Sequence, residues 1–195
     1  SYNKLGEMQQ ALGNSQAALA LYQQSLGIRE RLSGSAPENA EFARDLSISY
    51  EKLGEMQQAM GNSQAAMALY QQSLEIAERL SRSAPENAQF ARDLSVSYNK
   101  LGEMQQALGN SQAAMALYQQ SLEIRERLSR SAPENAQFAR DLWVSYWRLA
   151  NISSGDEQQW WRKVCLALTT MQERGILAQS DEQYLAAAKA QLKQG

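Results

Sequence analysis

Apolar side chains along this chain recur at helical steps. Phe90, Leu94, Tyr98, Leu101 and Leu108 are spaced by three, four and seven residues, which places them on one side of a helix. Gly109 suits the left-handed position just past a helix end, and Asn110 offers a side-chain oxygen to cap the next helix. That second helix carries Ala114, Leu117, Tyr118, Ser121, Leu122, Ile124 and Leu128 on a broad stripe. Glu123 with Arg127, and Glu126 with Arg130, fall four residues apart on its polar side. The segment Ser131-Ala132-Pro133-Glu134 has the spacing of a capping box with proline in the first turn, which predicts another helix start. No stretch alternates with the period of a strand, so the expected fold class is all-α.

This helix pair repeats. Near-identical copies begin at Ser1, Ser49 and Ser97, a period of 48 residues, and a fourth begins at Ser145 with SYWRLA before it diverges. Terminal repeats diverge where one face meets water instead of a neighbour. The expected organisation is therefore three repeats over 1–144, then a degenerate fourth repeat and a capping helix over 145–195. In that last section Trp160, Val164, Ala167, Leu168 and Met171 continue a helical stripe. Ser180-Asp181-Glu182-Gln183 predicts a capped final helix through Leu192, with Tyr184, Leu185, Ala188 and Leu192 inward. Ser1 corresponds to Ser49 and Ser97 in mid-helix. The repeat phase thus predicts further repeats upstream, or an open end covered by another copy of the chain.

Composition narrows the function. The chain has 195 residues, 44% of them hydrophobic, with a formal net charge of -2. Phosphate neutralisation needs a surplus of cations on one face, so nucleic acid is not an expected partner. No apolar run approaches the ~20 residues that span a bilayer, and SYNKLGEMQQ lacks the layout of a secretory signal. One cysteine, Cys165, cannot form an internal disulfide, which fits a reducing compartment, and the expected location is cytoplasmic. The absence of histidine removes the commonest general base and metal ligand. Cys165 sits between Val164 and Leu166 and reads as a structural thiol. Glu75 and Glu78 read as a solvated, ion-paired face. No catalytic residue, metal site or cofactor is expected.

The run Tyr98, Leu101, Gly102, Gly109, Ala114, Tyr118 and Leu122 resembles the tetratricopeptide signature. The chain departs from it at Gln105 and Ser121, and its period exceeds the usual ~34 residues. The Leu-Glu-Ile-Arg-Glu-Arg segment followed by proline is similar to the extended repeats of kinesin light chains and of bacterial signalling proteins. The resemblance implies an α-solenoid of antiparallel helix pairs, with the first helix of each pair (helix A) on the concave side and the second (helix B) on the convex side. It also implies a non-catalytic scaffold that binds a protein or peptide along helix A.

On a helical wheel the helix-A stripe opposite the buried residues includes Arg44, Glu51, Glu55, Arg92, Asn99, Glu103, Arg140 and Trp147. These are the expected ligand-binding residues. They are expected to face away from the core, so that reversing the arginine row leaves helix content unchanged. Glu7, Glu55 and Glu103 would repel the carboxylate that chaperone-binding relatives clamp. The alternating arginine and glutamate rows suit an extended or helical partner of mixed charge, or else form a merely solvated groove. Trp143 replaces Ser47 and Ser95 and is expected to pack under the cap with Trp160 and Trp161. Trp147 replaces Asn3, Glu51 and Asn99, as an anchor or as cap packing. The alternative functions are a homo-oligomer formed through the N-terminal end, and a regulatory segment of a larger signalling protein.

Overall fold

The computed structural model describes residues 2–193, so the expectation placed on Ser1 lies outside the described residues. Among the described residues there are nine α-helices, one short 3-10 turn and no strand. The chain forms two compact units, Ser1–Met104 and Gln105–Gly195.

The first unit holds α1 (Tyr2–Ala11), α2 (Ser15–Ser35), α3 (Ala40–Ala59), α4 (Ser63–Ser83) and the part of α5 (Ala88–Ala107) up to Met104. Consecutive helices pack on one another, α1 on α2, α2 on α3 and α3 on α4. Their short links impose antiparallel pairing. Each A-to-B link turns at a glycine in the left-handed region, Gly13 at φ 78° and Gly61 at φ 81°. The asparagine after each glycine was expected to cap helix B, but the Asn14 and Asn62 side chains donate instead to Gln9 and Gln57 Oε1 at 2.7 and 2.8 Å. The backbone closes the turn, as Asn62 N donates to Gln57 O.

The B-to-A link also differs from the capping-box expectation. Asn39, not Ser35, caps α3, its Oδ1 accepting from Glu41 N at 3.0 Å and Phe42 N at 3.1 Å. Ser35 is the last residue of α2, and its hydroxyl donates to Leu32 O. Helix B runs on through the serine, the proline occupies the turn, and the asparagine two positions later caps the next helix.

The core of this unit explains the Leu-Gly pair. Tyr70, fully buried, lies so close to α3 that a Cβ on Gly54 would stand 2.7 Å from its ring, and Tyr22 meets Gly6 in the same way. Only glycine permits that approach. Ala18, Tyr22, Leu53 and Met56 form a buried cluster there.

The second unit holds α6 (Ser111–Ser131), α7 (Ala136–Ile152), α8 (Glu157–Glu173), the 3-10 turn Gln179–Asp181 and α9 (Glu182–Leu192). Asn135 caps α7 through Gln137 N and Phe138 N, while Ser131 ends α6, so the expected capping box at Ser131 is absent here too. At Ser180 the predicted box is replaced by the 3-10 turn, and no side-chain bond caps α9. Leu108 lies beyond the end of α5 and is 52% exposed, so it leaves the stripe assigned to it. One buried cluster joins Ala114, Tyr118, Leu122 and Leu149. A larger one joins Trp143 and Trp161 to Val164, Leu168, Met171 and Leu185, and so ties α7, α8 and α9 together.

Candidate interaction face

The segment Lys-Leu-Gly-Glu recurs at 4–7, 52–55 and 100–103, and residues three apart share a helix face. In the first unit these charges link across repeats. Lys52 Nζ lies 3.5 Å from Glu7 and 3.4 Å from Glu55, and Lys100 Nζ lies 3.0 Å from Glu55 and 3.9 Å from Glu103. An alternating ladder therefore crosses α1, α3 and α5 on their solvent side.

The arginine row is engaged differently from its expected role. Arg44 forks onto the Asp93 carboxylate, joining α3 to α5, and that hydrogen bond holds the guanidinium firmly charged. Arg92 has partners of its own. In the second unit Arg140 Nε donates to Asp181 Oδ2 at 2.8 Å, and Asp181 is only 1% exposed. The row thus stitches one element to the next. Arg44 and Arg140 each hold a carboxylate of another element, where cations facing away from the core were expected.

Glu51 and Asn99 share one repeat position, and neither is freely solvated. Glu51 Oε1 accepts from Ser97 Oγ at 2.7 Å and from Ser73 Oγ at 3.0 Å. Burial raises the Glu51 pKa, and the two serine hydrogen bonds offset part of that rise. Asn99 is 3% exposed, and its side-chain amide has no hydrogen-bond partner among the described residues. Ser73 of α4 and Ser97 of α5 close over this edge of α3, so the open arc there is narrower than the wheel implied. Trp147 is half-buried, its ring edge-on to Trp161 at 4.8 Å and to Tyr184 at 5.2 Å. Trp143, 3% exposed, lies 5.1 Å from Tyr184.

Two residues that the wheel did not single out hold the helix pairs together. Arg29 Nη1 donates to Asp45 O and Ser49 Oγ at 2.8 and 2.9 Å. In the second unit the buried Arg125 makes the same pair of bonds, to Asp141 O and Ser145 Oγ, at 2.8 and 3.0 Å. The signal was present in the repeats, where Arg29, Ala77 and Arg125 share a position on helix B. Cys165 is half-buried, and burial pushes its thiol pKa up, away from the thiolate. Among the described residues no group of three potential metal ligands comes together.

A family model described as tetratricopeptide repeat matches residues 1–79 and 45–127. The chain belongs to the tetratricopeptide repeat family. A solved structure with a TM-score of 0.50 has the same fold, and others are similar to a lesser degree. A substituted form of nearly identical TPR-like repeats from a kinesin light chain candidate of Podosopora anserina superposes with a TM-score of 0.50 at 16% identity, covering 100% of this chain and 95% of that one. The unsubstituted form gives 0.49 at 18% identity, covering 100% and 96%. MamA gives 0.39 at 15% identity, covering 87% and 96%. No curated protein matches significantly. As in other tetratricopeptide chains, the helix pairs build a protein-interaction scaffold, a role such repeats fill without catalysis. Among the described residues no helix is long and apolar enough to cross a membrane.

Proposed function

We propose that this chain is a non-catalytic scaffold that holds a protein or peptide segment along its helix-A face. The supporting observation is the ladder Glu7, Lys52, Glu55, Lys100 and Glu103, whose side chains remain 26% to 52% exposed. Exposed ion pairs contribute only about 0–1 kcal/mol each, so a partner of mixed charge can exchange its own groups for them with little loss. Of the other expected residues, Arg44, Glu51, Arg92 and Asn99 lie on α3 and α5 beside the ladder, with Asn99 buried, and Arg140 and Trp147 lie on α7 of the second unit.

The test is affinity capture from a cell extract by the intact chain and by its Lys52→Glu, Lys100→Glu double variant. Loss of the same bound protein from the variant, with an unchanged circular dichroism spectrum, supports the reading. Equal retention by both chains refutes it.

A second reading rests on α1, where Tyr2, Leu5 and Met8 are 42%, 48% and 50% exposed, and on Leu12 just past its end, 67% exposed. A second copy of the chain covering that face is the self-associating alternative. Sedimentation equilibrium of the wild type against Leu5→Asp separates the two, since only self-association gives a dimer that the substitution dissolves.

A further inference from the structure

The second unit carries a groove that the helix-A reading does not use. It opens between two B helices, α6 and α8, with α7 as its floor, and encloses about 630 Å³. Ala139, Leu142, Ala167 and Met171 make it apolar, and Leu166 stands on its wall at 69% exposure. Its charged lining is three cations, Arg130, Lys163 and Arg174, against one carboxylate, Glu126. That carboxylate is already occupied, accepting from the Tyr146 hydroxyl at 3.0 Å. The Lys163 ammonium rests 4.6 Å over the Trp160 ring and 5.3 Å over Tyr146, and Arg174 is oriented by a 2.8 Å bond to Pro133 O. Arg174 also lies 4.0 Å from the exposed Glu134 carboxylate, so the three cations meet two carboxylates, Glu126 and Glu134, and the groove keeps a net positive charge.

We propose that this groove docks an acidic peptide segment, which seats an apolar side chain on Leu142 and Met171 and presents carboxylates to Arg130, Lys163 and Arg174. Charge complementarity selects the acidic partner. Openness selects a peptide over a small molecule, because a small-molecule site buries most of its ligand, whereas here the wall residue Leu166 is itself mostly in water.

The probe is a short synthetic peptide of glutamate pairs separated by leucines, titrated into the intact chain while tryptophan emission and isothermal heat are followed. A second peptide carries glutamine in place of every glutamate. The glutamate peptide should bind at least about tenfold tighter than the glutamine peptide. Leu166→Glu, at a position exposed enough to spare the fold, should weaken it by a similar factor, as should Arg130→Glu with Arg174→Glu. Lys52→Glu, which disables the helix-A ladder of the other unit, should leave this binding intact, so the two sites fail separately. The proposal is overturned by absent binding, by equal affinity for both peptides, or by unchanged affinity in the groove variants. A dimer of the free chain that Leu166→Glu dissolves would overturn it too, assigning the groove to a second copy.

Discussion

Ser97 donates its hydroxyl to Glu51 at 2.7 Å, joining α5 to α3 through a carboxylate that Ser73 also serves from α4. This repeat differs from its neighbours at two positions, with alanine at 77 where they carry Arg29 and Arg125, and with Glu51 where Asn3 and Asn99 stand. At the matching serines, Ser49 and Ser145, the hydroxyl instead accepts from Arg29 and Arg125. Ser97 serves the glutamate instead, and the half-buried Glu51 has hydroxyl donors but no cation among its hydrogen-bonded partners.

Partial burial disfavours the charged form of this carboxylate, while the hydroxyls that donate to it favour that form. The folded-state pKa of Glu51 is raised above the ordinary 4.5, with burial the main cause. Its contribution to stability is therefore fully present below about pH 4.5 and is lost as pH rises through the raised value. Glu51→Gln should raise Tm by about 2–4 °C at neutral pH. The gain should shrink as pH falls below that window, as thermal melts at a series of pH values would show. A gain that persists unchanged in acid would mean that ionisation of Glu51 is irrelevant.

Tyr70 packs on the bare backbone of Gly54. Gly54→Ala forces the ring or the helix to move, and the overpacking should destabilise the first unit by about 1–3 kcal/mol. Chemical denaturation measures this. Combining it with Tyr70→Leu should recover part of the loss, because the smaller side chain vacates the space the methyl group needs.

Arg140 is the cation that faces the buried Asp181. Arg140→Ala leaves that carboxylate without its partner, although the half-exposed arginine limits the loss to about 1–2 kcal/mol. The effect should be local, with amide hydrogen exchange accelerated in α9 and the 3-10 turn before it spreads. Removal of both groups, Arg140→Ala with Asp181→Asn, should cost less than the single change.

Tyr50 and Tyr98 donate to the carboxylates of Glu30 and Glu78, each at 3.0 Å, and burial together with those acids pushes both phenols up to about 12. A tyrosinate absorbance titration should leave both protonated at about pH 11. Glu78→Gln should lower the Tyr98 midpoint, because it removes the negative charge that disfavours the phenolate.

The repeat period, the helix pairs, the turn glycines and the membership of a tetratricopeptide array were all legible in the sequence, because each rests on spacing within one or two helices. Tertiary structure decided the rest. A wheel shows which side of a helix is apolar, but it cannot show how far two neighbours wrap around the polar side. That is why Asn99 is buried and Glu51 is enclosed by serines. Arg44 looked like a ligand-binding cation until the fold brought it to Asp93, one repeat away. Capping followed the same rule: Ser35 and Asn39 both carry suitable oxygens, and the choice depended on how far helix B extends before proline turns the chain. Local periodicity fixes which elements form, and contacts between residues about 48 positions apart fix which polar side chains remain for a partner.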